Sequence, residues 1–354
     1  MSVRFTLTDD SFPVSGAFLD FVRRKLHGVP FEDVDWLDQV TERFTADRSK
    51  VDALAKANAA AILSFPAGRK VIEELYQVLT WVLTGDSIAL RSYFKGYRFV
   101  WIVGAPRTGG TFLLNRLLQH YDCGDPDTLP AFVVHDGTPD CAFPGPVRSV
   151  EVLSRSAMQM SELAVAIKLL YPRPCVVVKK ALKYAFAGPL FDSVFGDPLK
   201  VVVTVREPLP VAWSVMSKSG LKFGKATRHF NVHCPIDQLV KDLCASYFGM
   251  TYAEISSYNY QSAVCLFWSA FYQVLASSFS MFLDVDIVAF GEPMADYVRR
   301  NLKQTSRVYS EFVMPLLPVL PFTENDWVFS REVIKSVTFA FTRKRMSFPG
   351  LSTV

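Results

Sequence analysis

Between Phe99 and Phe290 the chain alternates short, continuous apolar runs with longer segments whose apolar positions recur at helical spacing. The runs are Phe99–Val103, Cys175–Lys179, Lys200–Val205 and Val285–Phe290. Val176-Val177-Val178 and Val201-Val202-Val203 are β-branched and uninterrupted, the pattern of strands covered by helices on both faces. Thr111–His120, Met158–Leu170, Tyr184–Phe195 and Leu209–Ser219 carry the helical period between them. Such alternation predicts an α/β fold with a parallel β-sheet flanked by helices, and ligands beyond the carboxyl ends of the strands. Ahead of Phe99 the pattern is helical throughout. Phe18, Leu19, Val22 and Leu26 share one face, residues 51–63 are alanine-rich, and VIEELYQVLTWVL (71–83) has an apolar face. The predicted organisation is therefore a helical N-terminal extension, residues 1–95, packed on an α/β domain, residues 96–354. Residues 220–262 and 291–354 have weaker patterns and are expected to form loops, lids and terminal helices.

One segment changes this picture if it is a membrane span. Residues 255–283 contain no charged side chain and are long enough to cross a bilayer. Ser269, Gln273, Ser277, Ser278 and Ser280 interrupt the segment, and no Lys/Arg cluster flanks it. A core or substrate-pocket helix is the expectation, with no membrane span. A hydrophobic fraction of 50% over 354 residues supports a large core. The formal charge of +4 is spread along the chain without a run of five basic residues, which argues against a nucleic-acid partner. The six cysteines form no CxxC pair and no metal-ligand spacing with the five histidines. With an N-terminus, MSVRFTLTDDSF, that lacks a basic-then-apolar signal pattern, a cytoplasmic location and a metal-free protein are expected.

The chemistry begins at the end of the first predicted strand, where Val103 to Leu114 reads VGAPRTGGTFLL. Gly104-x4-Gly109-Gly110-Thr111 has the form of a phosphate-binding loop, except that Gly110 stands where the lysine should be. A strand, a Gly/Pro turn and a helix start make an anion cradle. Backbone N–H groups turn inward, and the helix N-terminus adds about half a positive charge. Arg107 is the replacement cation within the loop.

A second segment, FGDPLKVVVTVREPLPVAWS (195–214), delivers Arg206 to the carboxyl end of a buried strand. Pro208 lies near the start of the following helix and Ser214 on that helix, eight residues after Arg206. A guanidinium fork and a hydroxyl so placed suit one phosphate. Two phosphate sites at neighbouring strand ends suit a nucleotide phosphorylated at two separate positions.

On these residues the chain resembles the sulfotransferases that use 3′-phosphoadenosine 5′-phosphosulfate (PAPS), in a bacterial-type branch. Gly104-Ala105-Pro106-Arg107-Thr108-Gly109-Gly110-Thr111 is similar to that family's loop for the 5′-phosphosulfate, with Pro-Arg in place of Pro-Lys. Val205-Arg206-Glu207-Pro208 with Ser214 is similar to its 3′-phosphate site. Val178-Lys179-Lys180 loosely matches the family's Lys-bearing strand, and Val285–Phe290 with Glu292 its later strand end. The N-terminal Asp9-Asp10-Ser11-Phe12 is also similar to one bacterial branch. The resemblance covers about residues 99–295. It implies a P-loop-type fold and transfer of a sulfuryl group from PAPS to a hydroxyl or amine of a small-molecule acceptor, leaving 3′,5′-adenosine bisphosphate. Pro106, Arg107, Thr108, Gly109, Gly110, Thr111, Arg206 and Ser214 would bind the nucleotide.

Two departures matter. Gly110 replaces the family's usual threonine, and Ala181-Leu182 follows the lysine pair where many members carry a histidine base. For catalysis, Arg107 and Lys179 or Lys180 would steady the leaving phosphate, Lys179 being the one chosen. His135, beside Asp136, is the first choice of proton acceptor; His229, His233 and Asp136 are the alternatives. Trp213 and Trp268 read as core rather than adenine platforms. Arg343-Lys344-Arg345 reads as a solvated patch. The charge-free segment 255–283 suggests an apolar acceptor. A P-loop small-molecule kinase and an inactive nucleotide-binding protein are the rival readings, and a homodimer is left open.

Overall fold

The computed structural model describes residues 14–28, 57–124, 129–135, 150–196, 198–218, 243–279, 284–302 and 322–351. Three helices, α1 (Gly16–His27), α2 (Pro66–Thr84) and α3 (Ser87–Tyr93), precede the first strand. There follow β1 (Arg98–Val103), α4 (Gly110–His120), the single turn α5 (Ala131–Val134), α6 (Val150–Leu170) and β2 (Val176–Lys180). Next come α7 (Tyr184–Phe195), β3 (Lys200–Val205), α8 (Pro208–Lys218), α9 (Tyr252–Ser257), α10 (Tyr260–Ser278) and β4 (Val285–Ala289). The last two are α11 (Glu292–Asn301) and α12 (Glu324–Arg343). Residues 57–64 and 243–248 are also helical.

The four strands form one sheet in the order β2-β1-β3-β4, every pair parallel. The α/β expectation holds. From β1 the chain crosses to β2 on one side, and then returns to β3 on the other. The connections therefore diverge between β1 and β3, the place beyond the carboxyl ends of the strands where open parallel sheets take their ligands.

Both faces of the sheet are covered, which is why its strands read as unbroken apolar runs. Phe99, Trp101 and Val103 face an aromatic core that contains Phe191 and Phe195 of α7. Val100 and Ile102 face Leu113, Leu114, Leu117 and Leu118 of α4. Parallel partners in register share a face. Lys179, opposite Trp101, therefore belongs to the aromatic side, and Lys180, opposite Ile102, to the α4 side.

The N-terminal helices join this core directly. Phe18, Phe21 and Leu75 belong to the same cluster as Phe99 and Trp101. Buried Glu162 on α6 accepts from the backbone N–H of Ser15, the N-cap of α1, and from its hydroxyl at 2.7 Å.

Helix α10 carries the middle of the charge-free segment, and Ala263, Phe267, Phe271, Leu275 and Ala276 bury it in the core. Among the described residues no helix is long and apolar enough to cross a membrane. Helix α12, which lies against α10, emerges from a region with little sequence pattern. Val333, Val337 and Phe341 make its buried stripe, but exposed Val328 and Phe339 blur the period. A capping box of Thr323 and Asp326 starts it.

Candidate functional site

The Gly loop spans the gap between β1 and α4. Its first glycine is obligatory: a Cβ at Gly104 would stand 2.2 Å from Thr204 Oγ1 and 2.5 Å from the Thr204 carbonyl oxygen. Gly109 caps α4 with φ 90°, in the left-handed region that favours glycine, and packs on Met294 and Phe290. The Leu113 N–H closes the first turn of α4 on the Gly109 carbonyl at 3.1 Å. The N–H groups ahead of it thus have no partner within the helix, as an anion cradle requires.

Buried hydroxyls hold the loop against β3. Thr108 donates to the Ala105 carbonyl at 2.7 Å and shares a 2.8 Å contact with Thr204 Oγ1. Behind them Tyr272 of α10 accepts from the Ala105 N–H at 3.2 Å and donates to the Thr204 carbonyl at 2.6 Å. Burial pushes the Tyr272 phenol well above its ordinary range, so it remains a donor. One turn away on the same helix, Trp268 Nε1 donates to the Arg206 carbonyl at 2.9 Å. Trp268 is fully buried, as expected of a core residue, and its indole N–H fixes the backbone at Arg206.

Cations flank the loop on both sides because the neighbouring strands of β1 each end in one. On the β3 side, Arg206 lies over the Phe290 ring, its Cζ 4.4 Å from the centroid, and Nη1 donates to the Arg107 carbonyl at 3.4 Å. Arg107 in turn donates from Nε to Ser214 Oγ at 2.8 Å. Arg206, Ser214 and the Gly loop thus converge on Arg107. Burial, and then the charge of Arg107, lower the Arg206 pKa, while Glu207 opposes the shift. Burial raises the Glu207 carboxyl above its usual range, against the pull of Arg206.

On the β2 side the structure corrects one expectation. The sequence reading places Lys179 at the site, but it is fully buried on the aromatic side, donating to the Phe132 carbonyl at 2.8 Å. Lys180 is the lysine that reaches the loop. Its Nζ lies 3.2 Å from Thr111 Oγ1 and 3.0 Å from His135 Nε2. The pleat explains the difference, since adjacent strand residues point to opposite faces and β2 extends to Lys180. Gly110 lies beneath this lysine: a Cβ there would stand 3.1 Å from the Lys180 Cε and would press its end aside by a few tenths of an ångström. The amine missing from the loop arrives from the adjacent strand.

His135 follows α5 and forms a parallel bridge with Lys180, so it stands beside the lysine that reaches the loop. Asp136, His229 and His233 lie outside the described residues. Pro106 is half-buried in the turn, and Thr111 is exposed at the start of α4. Sequence reasoning missed Thr204, Tyr272 and Phe290. Tyr272 and Trp268, two aromatics with polar handles four residues apart on a charge-free helix, were the available signal.

The chain matches no protein-family model, no curated protein and no solved structure.

Proposed function

We propose that this chain is a PAPS-dependent sulfotransferase acting on a hydroxyl or amine of an apolar small molecule. The supporting observation is the flanking of the Gly loop by Lys180 on one side and by Arg206 with Ser214 on the other. β2 and β3 both neighbour β1, so their ends stand two strand spacings apart, about 10 Å. One adenylate with phosphates on both sides of its ribose bridges such a gap. The Thr108 hydroxyl is buried and already donates to the Ala105 carbonyl, against the expectation that it meets the nucleotide, so the loop N–H groups, Thr111 and Lys180 would hold the 5′ end. Arg206 and Ser214 would hold the 3′-phosphate.

In the reaction the bond from sulfur to the bridging phosphate oxygen breaks, and its electron pair stays on the phosphate. A bond forms from sulfur to the acceptor atom, whose proton passes to a base. Lys180 and the α4 N-terminus stabilise the charge that grows on the bridging oxygen. A P-loop kinase would turn the Thr111 hydroxyl toward Mg²⁺. Here that hydroxyl meets the Lys180 amine, which favours sulfuryl over phosphoryl transfer. The contact of His135 Nε2 with Lys180 favours a second reading, a nucleotide-binding protein without turnover.

Isothermal titration of 3′,5′-adenosine bisphosphate in EDTA, against ATP in Mg²⁺ buffer, tests the nucleotide. The expected result is tight binding of the bisphosphate, and a preference for ATP with Mg²⁺ overturns the reading. Transfer of ³⁵S from labelled PAPS to a panel of phenols and long-chain alcohols separates enzyme from inactive binder.

A further inference from the structure

Arg107 departs from the role its place in the loop suggests. It is a non-glycine residue at φ 69°, in the left-handed region, a conformation that persists only where its surroundings impose it. The consequence is directional. The side chain leaves the loop toward α8 and donates Nε to Ser214 Oγ at 2.8 Å, while the Arg107 carbonyl accepts from Arg206 Nη1 at 3.4 Å. Backbone and side chain of Arg107 are thus both engaged by the two residues that approach from β3 and α8. Among the described residues neither guanidinium is ion-paired with a carboxylate. Glu207 is near enough to feel the Arg206 charge but forms no ion pair with it, so both guanidinium forks and the hydroxyl stay directed at one place, a strong phosphate clamp. The other side of the loop does not need Arg107, because Lys180 already serves Thr111.

We propose that Arg107 is a specificity-determining residue that binds the 3′-phosphate together with Arg206 and Ser214, rather than the 5′-phosphate of its own loop. This assignment rests on the nucleotide reading given above. It makes the 3′ side a three-group clamp and the 5′ side a site of Lys180, Thr111 and backbone N–H groups. The 3′-phosphate then carries most of the discrimination between PAPS and nucleotides phosphorylated only at the 5′ position.

The test compares 3′,5′-adenosine bisphosphate, 3′-AMP and 5′-AMP by titration against the wild type and Arg107→Asn. Asparagine tolerates the left-handed backbone and cannot reach Ser214. The bisphosphate and 3′-AMP should weaken by about 10- to 100-fold, while 5′-AMP changes by less than about 3-fold. Equal weakening of all three ligands, or a loss confined to 5′-AMP, overturns the assignment. So does an unchanged bisphosphate affinity, and in these cases the nucleotide reading survives. A wild type that binds none of the three overturns that reading and the assignment together. Should the Asn variant misfold, Arg107→Gly relieves the backbone and is judged by the same ratios.

Discussion

Lys180 and Thr111 belong to different elements, yet they meet at 3.2 Å across the mouth of the Gly loop. The pairing follows from sheet order. β2 is hydrogen-bonded to β1, so the residue ending β2 on the α4 face stands beside the first turn of α4.

Lys180→Met should therefore weaken 3′,5′-adenosine bisphosphate by about 10- to 100-fold, the worth of one charge-assisted hydrogen bond, and leave the melting temperature nearly unchanged. Lys179→Met should behave in the opposite way. It removes a buried donor from the Phe132 carbonyl, at a cost of about 1–3 kcal/mol in urea unfolding, with little change in affinity. Titration and unfolding of the two variants check the assignment, which is lost if they weaken binding alike.

Tyr272→Phe should destabilise the fold by about 1–3 kcal/mol, because the Ala105 N–H and the Thr204 carbonyl both lose a buried partner. Chemical denaturation measures this. A variant as stable as wild type would show that the hydroxyl does not tie the loop to β3.

Gly104→Ala should prevent folding or reduce soluble yield severely. The added Cβ would meet the Thr204 backbone, which belongs to a central strand and cannot retreat. Gly85→Ala is the control. It has φ 69° and ψ 27°, in the left-handed region, and nothing within 4 Å of a new Cβ, so only backbone strain of about 1 kcal/mol applies. Similar behaviour of the two variants in thermal melts would refute the steric argument.

Glu207 gives a pH dependence with a definite sign. Its folded-state pKa is raised, by burial first, so the folded protein favours the protonated carboxyl. That contribution is complete below the unfolded pKa of about 4.3 and is lost as pH rises through the folded value. Glu207→Gln should raise the melting temperature at neutral pH, with the gain shrinking to zero on acidification below about pH 4. Paired thermal melts from pH 3.5 to 8 would reject the assignment if the gain grew toward acid.

Much of this fold was legible from local pattern. β3 and α7 have the predicted bounds, and β1, β4, α4 and α8 differ from them by a residue at one or both ends. Continuous β-branched runs have few alternatives to a doubly covered strand. The chemistry of the loop was legible because Gly104 and Gly109 punctuate a strand-to-helix turn. Long-range partners were not. Tyr272 lies 167 residues from Ala105, and Glu162 lies 147 from Ser15. No spacing rule connects such pairs. Helix α12 was hidden because exposed Val328 and Phe339 break the hydrophobic period.

The amino-acid order alone determined the alternation of strands and helices, the glycine turn, and the placement of Arg206 at a strand end, since each depends on neighbours within one element. It also showed that Lys179 and Lys180 point opposite ways. Only the tertiary structure decided which of them meets the loop, because that depends on which face of β2 packs on α4 and which on the aromatic core. The same holds for Arg107, whose direction is set by Arg206 and Ser214, about 100 residues further along the chain.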